Sequence, residues 1–161
     1  MTYRELHELT HQWAIDRKLV VNGNVETQIL KLLSEFGELA DAIIKSRPHE
    51  VKDAIGDMMV VLSNIASIDG YERGNFIEYC ELECIQILDM CVNCIVYSLT
   101  IDIGHLNDGF YNARYIIQSL KQLAAKYNFT LIECWEAAYN EIKDRKGYVN
   151  EHGNFVKEGD L

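Results

Sequence analysis

The feature that most constrains the fold is a helical periodicity that runs from residue 25 to residue 68 with one short interruption. Apolar residues recur at spacings of three and four on both sides of this interruption, which ends at Pro48. Proline is tolerated in the first turn of a helix because its missing N–H has no intrahelical partner there. The sequence therefore predicts two long helices, 25–44 and 48–68, joined by a tight turn as an antiparallel hairpin.

Three further helices are predicted outside this hairpin. Residues 3–17 and 111–126 show the same spacing of apolar residues. Thr130 is followed three residues later by Glu133, a combination typical of a capping box at a helix N-terminus. We expect the last helix to begin there and to run toward Lys146.

Two parts of the chain are less regular. In the segment from about 71 to 105 the first part has helical spacing, but residues 97–103 are rich in β-branched side chains and leave the structure open. Residues 148–161 indicate a tail or a short hairpin. One proline and ten glycines leave little punctuation for a β-sheet fold. The sequence predicts an all-α helical bundle, with residues 1–161 as a single domain.

The chain is acidic, with a formal net charge of −10 and an isoelectric point of about 4.9. Sequence-independent binding to nucleic acid or to an anionic membrane requires clustered Lys and Arg, so neither partner is expected. An anionic substrate would need a cation between itself and such a protein. The sequence contains no apolar run of about 18 residues and no basic-then-apolar start, so we expect a cytoplasmic protein without a membrane span.

Two pairs of acidic residues lie on the predicted hairpin. Glu35 and Glu38 are three residues apart on the first helix. Asp53 and Asp57 are four apart on the second, so each pair projects from one helix face. If the hairpin closes antiparallel, the pairs approach each other, and four carboxylates repel unless a cation binds. All-oxygen ligands favour Mg²⁺, with Mn²⁺ as a substitute, and imply a phosphorylated substrate; for a single pair the alternative is a solvated acidic face.

Two glycines support a special environment on this hairpin. Gly37 and Gly56 lie inside the predicted helices, each beside a proposed ligand. Glycine in a helix interior costs about 1 kcal/mol relative to alanine. Their presence indicates the close approach of two backbones or of a substrate.

The sequence resembles a known family at these residues. The string LKLLSEFGELADAI (30–43), followed by EVKDAIGDMMVVLSNIA (50–66), is similar to the MazG-like all-α nucleoside triphosphate pyrophosphohydrolases. The family pattern is E-x-x-E, a spacer, and then E-x-x-D. Glu35 and Glu38 match the first pair and Asp57 matches the final Asp. The chain departs from the pattern at Ala54, where either Asp53, one turn from Asp57, or Glu50 substitutes for the missing carboxylate.

The resemblance implies a reaction and an assembly. In such enzymes Mg²⁺ binds the triphosphate, and an activated water attacks the α-phosphorus to release nucleoside monophosphate and pyrophosphate. Glu35 or Glu38 is the expected base. The family assembles as dimers or tetramers, so a homo-oligomer is expected. Residues 70–128 lie outside the resemblance and form an apparent helical insertion.

Several residues are candidates for contact with the triphosphate or the base. Lys31, one turn before Glu35, can reach a phosphate or form a salt bridge with Glu35. A basic stretch near the C-terminus matches residues that the family uses on the triphosphate, although a cluster of charges at a helix C-terminus explains it equally. This stretch comprises Asn140, Lys143, Arg145 and Lys146. Trp13 is a candidate for stacking on the base, or else a core residue.

Other interpretations compete with this one. Residues His7, Glu8 and His11 fit H-E-x-x-H, a zinc-peptidase signature, although no third ligand or supporting strand can be placed. A second zinc-like cluster consists of Cys80, Cys84, Cys91 and Cys94, which we expect instead to be small buried hydrophobic residues on one helix face. A third interpretation is a catalytically weak helical module that binds a nucleotide or a protein. It is favoured if the carboxylates bind no metal.

Overall fold

The computed structural model describes residues 1–70, 73–83, 90–153 and 155–158. The predicted all-α class is confirmed, because helices make up nearly all of the regular structure in these ranges. The helices are α1 (Tyr3–Asp16), α2 (Leu19–Asn22), α3 (Val25–Ile44), α4 (Pro48–Asp69), α5 (Arg73–Glu81), α6 (Val92–Gly104), α7 (Ala113–Lys126) and α8 (Leu131–Ile142). Strands β1 (Gly147–Val149) and β2 (Phe155–Lys157) pair antiparallel as a short C-terminal hairpin.

Helices α3 and α4 form the predicted hairpin, and local signals define both of its ends. The Asn24 side chain caps α3 by accepting a hydrogen bond of 2.8 Å from the amide of Thr27. Pro48 occupies the first turn of α4, as expected. At the other end Gly70, with a positive φ of 65°, ends the helix in a conformation that costs glycine little.

Helix α4 is the central element of the bundle. Between Ala54 and Ser67 every residue except Asp57 is buried, so the helix is covered on all sides by α1, α3, α5, α7 and α8. Gly56 lies where α4 crosses α8, and a Cβ atom on it would come within 2.2 Å of the Cys134 carbonyl oxygen. The expectation of close backbone approach is therefore correct at Gly56. At Gly37 a Cβ would meet nothing within 4 Å, so helix packing does not require that glycine.

Helix α8 begins with the predicted capping box. The amide of Glu133 donates to the Thr130 hydroxyl at 3.3 Å, and the amide of Thr130 donates to the Glu133 carboxylate at 2.8 Å. The helix ends at Ile142, four residues before the predicted end at Lys146. The end comes early because side chains of α1 bind the carbonyls that follow Ile142 and hold that segment against α1.

The segment 71–105 is helical in α5 and α6, whereas its described residues 82–83 and 90–91 are not helical. Residues 97–103 lie within α6, which packs along α7, so tertiary contacts override the β-branched composition. Two single 3₁₀ turns, Leu106–Asp108 and Phe110–Asn112, lead into α7. Residues 84–89 lie outside the described ranges, as does the predicted helical continuation through them. Among the described residues, no helix combines the length and hydropathy needed to cross a bilayer.

Candidate active site

A cleft of about 450 Å³ lies where α3 and α4 meet the chain ends. Three of the four predicted metal ligands, Glu35, Glu38 and Asp57, line it. Charged and amide side chains from α3, α4, β2 and the segment after α8 form its polar wall, while apolar side chains form the remainder. The other lining residues are Trp13, Leu19, Gln28, Lys31, Val60, Val61, Asn64, Ile142, Arg145, Phe155 and Lys157.

Glu35 is buried and already paired. It is 4% exposed, and its Oε1 atom lies 2.5 Å from Nζ of Lys31, whose own side chain is about half exposed. Of the two roles predicted for Lys31, a phosphate contact or a salt bridge with Glu35, the structure without substrate contains the salt bridge. A triphosphate entering the cleft would compete with Glu35 for this cation, since Lys31 also lines the cleft.

Asp57 carries the strongest electrostatic perturbation of the site. Burial, reinforced by the negative charges of Glu35 and Glu141, raises its pKa from 3.8 to about 6, against the opposing effect of Lys31 and Arg145. At neutral pH, the ionised carboxylate therefore lowers the free energy of unfolding of the free protein. A cation between Asp57 and Glu35 would remove that cost, and carboxylate oxygens are suitable ligands for a hard divalent ion.

Asp53 lies apart from this arrangement. It lines a neighbouring cleft of about 580 Å³ that contains Glu38 and Asp57 but not Glu35. Ala54 and Glu50 also line that second cleft. Glu38 and Asp57 therefore line both clefts, whereas Glu35 lines only the first and Asp53 only the second. Within the described ranges, no three His, Cys, Asp or Glu side chains form a preorganised metal site.

The residues of the predicted basic stretch do not all line the main cleft. Arg145 lines the main cleft, where it is joined by Lys157 from β2. Asn140, Lys143 and Lys146 are not among the described residues that line either cleft. Lys143 instead donates a hydrogen bond of 3.1 Å to the Asn140 side-chain oxygen on the surface. Of this stretch, Arg145 has the position that a phosphate contact requires.

Arg17 and Trp13, both at the C-terminal end of α1, position Arg145. The Arg17 guanidinium donates to the Arg145 carbonyl at 2.5 and 2.7 Å and to the Lys143 carbonyl at 3.1 Å. Its Cζ atom also lies 4.7 Å from the centroid of Trp13. The Trp13 indole N–H donates to the Ile142 carbonyl at 2.8 Å. These bonds satisfy the unpaired carbonyls after α8 and bring its C-terminal extension to the cleft.

Trp13 serves as a core residue and as part of the cleft wall. It is 7% exposed, and its ring meets Phe155 edge to face at a centroid distance of 5.3 Å. Phe155 and Trp13 therefore present an aromatic wall made from the two ends of the chain. Stacking on a base stays a prediction for Trp13.

Among the cleft residues that sequence reasoning missed are Gln28, Asn64, Phe155 and Lys157. Asn64 carries a detectable signal, since it is an amide inside a long apolar run of α4. Gln28 lies seven residues before Glu35 and so occurs on the same helix face after two turns. Phe155 and Lys157 carry no such signal, because their position depends on the hairpin folding back over α1.

The H-E-x-x-H string is part of the helix packing. His7 is 3% exposed, its Nδ1 atom lies 2.7 Å from the Ser63 hydroxyl on α4, and its ring packs against Phe76. His11 stacks beside it at a centroid distance of 6.2 Å, while Glu8 is exposed to solvent. His7 thus lies at the α1–α4 interface, and within the described residues the two histidines belong to no group of three side chains that could hold a metal.

The prediction for the cysteines is partly wrong. Cys80 is buried, as expected, but Cys91 and Cys94 are exposed. The prediction assumes one continuous helix face, whereas Cys91 is the N-cap of α6 and Cys94 lies in its first turn. Their sulfur atoms are 3.1 Å apart, within hydrogen-bond distance, and do not form a disulfide. Cys84 lies outside the described residues.

The fold and the site together define a class of protein, an all-α helical hairpin whose acidic side chains line a cleft together with basic side chains. Residues 24–78, which contain α3 and α4, match the family described as the MazG nucleotide pyrophosphohydrolase domain. The resemblance noted from the sequence is thereby confirmed, and this part of the chain is MazG-like. The match excludes Trp13, Arg145 and the C-terminal hairpin.

One curated relative is an uncharacterized 18.2 kDa protein from the rep–hol intergenic region of Haemophilus phage HP1 (strain HP1c1). It is 41% identical over 63 residues, which is 39% of this chain and 39% of the relative. The chain therefore matches about two fifths of that relative's length. No solved structure matches the chain.

Proposed function

We propose that this chain is a Mg²⁺-dependent nucleoside triphosphate pyrophosphohydrolase that converts a nucleoside or deoxynucleoside triphosphate to the monophosphate and pyrophosphate. The observation that carries the proposal is the juxtaposition of Glu35, Glu38 and Asp57 with Lys31 and Arg145 in one cleft. The three carboxylates and Lys31 lie on the hairpin that matches the pyrophosphohydrolase domain. Three carboxylates suit a divalent metal, and the cations suit the phosphate oxygens that the metal leaves exposed.

Each side chain has a distinct role in this proposal. Glu35, Glu38 and Asp57 would hold Mg²⁺, with Asp53 reaching it from the neighbouring cleft. When bound, Mg²⁺ would offset the negative charge on the triphosphate and favour ionisation of the attacking water. Lys31 and Arg145 bind phosphate oxygens, Lys31 after its release from Glu35.

The water that attacks the α-phosphorus must lose a proton. Glu35 and Glu38 remain the two candidates for the base, because both line the cleft and both can keep one oxygen unligated. Glu35 is buried and paired with Lys31, whereas Glu38 is exposed and borders both clefts. Departure of Lys31 to the triphosphate would leave Glu35 able to accept a proton.

We also propose that the chain functions as a dimer or tetramer in the cytoplasm. Leu30 and Leu33, which follow each other on one side of α3, are 66% and 47% exposed, and Ile44 at its end is 82% exposed. Apolar side chains repeated along one helix are suited to burial against a second copy. Light scattering coupled to size exclusion tests this, with Leu30→Glu expected to shift the assembly toward monomers.

Pyrophosphate release from a panel of canonical and modified nucleoside triphosphates tests the activity. With Mg²⁺ the wild type should release pyrophosphate, and chelation of the metal should abolish the release. Glu38→Ala should lower kcat/KM by about 100-fold or more, the usual contribution of a base or metal ligand. Glu8→Ala is the matched control, an exposed glutamate on α1 whose loss should change nothing.

The competing interpretation is a helical module that binds nucleotides without hydrolysing them. The separation of Asp53 from Glu35 and the alanine at position 54 favour it, since both weaken the ligand set. No release from any triphosphate, together with measurable binding, would support the module and contradict the hydrolase. Activity that survives Glu38→Ala but not Glu8→Ala would contradict both.

A further inference from the structure

Asn64 provides a hydrogen-bond acceptor to the cleft that the proposed chemistry does not use. The residue is 4% exposed, lies on α4 and lines the cleft. Its side-chain oxygen is buried, and within the described part of the chain it has no hydrogen-bond partner. Buried polar atoms without partners are rare in folded proteins because they lose water without replacement. At a cleft wall, a ligand is the natural source of the missing donor.

The position of Asn64 relative to the carboxylates indicates which part of a ligand it meets. Asn64 follows Asp57 by seven residues on α4, and Gln28 precedes Glu35 by seven residues on α3. Seven residues are about two helical turns, or about 10.5 Å. Because α3 and α4 run antiparallel, both displacements point the same way along the hairpin. The two amides therefore form a second level of the cleft, about 10.5 Å from the carboxylates.

The chemistry of this second level differs from that of the first. Gln28 and Asn64 are both 4% exposed and neutral, and the nearby cleft wall is apolar at Val60 and Val61. The cations of the cleft are Lys31, Arg145 and Lys157, of which Lys31 is paired at the carboxylate level. A neutral amide pair in an apolar wall suits a nucleobase, which offers an N–H donor and a flat apolar face.

We propose that Asn64, with Gln28 beside it, is a specificity-determining site that accepts a hydrogen bond from an N–H group of the substrate's nucleobase. The inference rests on the proposed function, since the carboxylate level must hold the triphosphate for the base to reach Asn64. Every canonical base carries an N–H donor at its pairing edge, but at different positions, so selection between bases would depend on where that donor lies relative to Asn64. A sugar hydroxyl lies closer to the phosphates and would fall short of the amide level.

The first test compares base selection in the wild type and in Asn64→Leu, which has nearly the same size. The wild type should favour some bases, and the variant should lose kcat/KM for the preferred base by roughly 10- to 100-fold, the usual cost of one lost hydrogen bond to a ligand. Its kcat/KM for the poorest base should stay the same. Equal losses for all bases, or an unchanged preference, would overturn the inference.

A stability measurement separates this role from a structural one. Asn64→Leu should keep or raise the melting temperature, because it replaces an acceptor that has no partner in the free protein. Asn112→Leu is the matched control, a buried asparagine whose amide donates to the His105 carbonyl at 2.7 Å, and it should melt at a lower temperature. A clear loss of stability in Asn64→Leu would show that Asn64 supports the fold instead.

A substrate analogue that lacks the base N–H tests the same hydrogen bond from the side of the ligand. Methylation of the base N–H of a preferred nucleotide, for example N3-methyluridine triphosphate against uridine triphosphate, should penalise the wild type more than Asn64→Leu. An equal penalty in both proteins would mean that the methyl group only clashes, and it would contradict the proposal.

Titration with α,β-imido triphosphates measures base preference without hydrolysis, so a failure of the enzyme proposal remains distinguishable. If these analogues bind with no preference that depends on Asn64, the inference fails even if pyrophosphate is released.

Discussion

Replacing Asp57 by asparagine should stabilise the fold while removing the proposed pyrophosphohydrolase activity. In the free protein the pKa of Asp57 is raised from 3.8 to about 6 by burial and by Glu35 and Glu141. A raised carboxyl pKa means that folding costs more when the group is ionised. The cost is absent below pH 3.8, grows as the pH rises toward 6, and is constant above that. The pKa difference corresponds to about 3 kcal/mol at pH 8 and to about half of that at pH 5.

Urea denaturation of metal-free protein between pH 5 and pH 8 measures this effect. Asp57→Asn should have a free energy of unfolding above that of the wild type by about 3 kcal/mol at pH 8, and the gain should halve at pH 5. Asp53→Asn, an exposed aspartate one turn away, is the control and should change the free energy by less than about 0.5 kcal/mol. An Asp57→Asn variant no more stable than the wild type, or with a pH-independent gain, would refute the electrostatic reasoning.

Four further outcomes follow from other features of the protein. Gly56→Ala should lower the free energy of unfolding by about 3 kcal/mol, because its Cβ would clash with a backbone carbonyl of α8 at 2.2 Å. Gly37→Ala, whose Cβ faces open space, should raise it by about 0.5 to 1 kcal/mol, and the same urea titrations compare the two. Hydrogen bonds from the thiol and amide of Cys94 lower the pKa of Cys91, whereas burial raises the pKa of Cys80 to about 12. Iodoacetamide should therefore alkylate Cys91 well before Cys80. Peptide mass spectrometry measures the order, and alkylation of Cys80 first would contradict this reasoning. Mg²⁺ at 100 times its dissociation constant for the wild type should raise the free energy of unfolding of the wild type by about 2.7 kcal/mol and that of Asp57→Asn by much less. An equal rise in the melting temperature of both proteins would contradict the assignment of Asp57 as a metal ligand.

The sequence by itself determined the α3–α4 hairpin and the points where its helices and α8 begin. The hairpin of α3 and α4 follows from periodicity and from Pro48, and the start of α8 follows from Thr130 and Glu133. These signals act within one or two helical turns, so they are readable without knowledge of the tertiary structure. The placement of Glu35 and Glu38 on one side of α3 could be predicted for the same reason.

The tertiary structure decided which of these residues share a cleft. The rotation and crossing of α3 and α4 separate Asp53 from Glu35, and helix spacing alone does not specify that rotation. Arg145 reaches the cleft through bonds from Arg17, 128 residues away in sequence. Asn64 is an ordinary interruption of an apolar run until the surrounding helices bury its oxygen at the cleft wall without a partner. Such contacts join distant parts of the chain, so only the packed structure determines them.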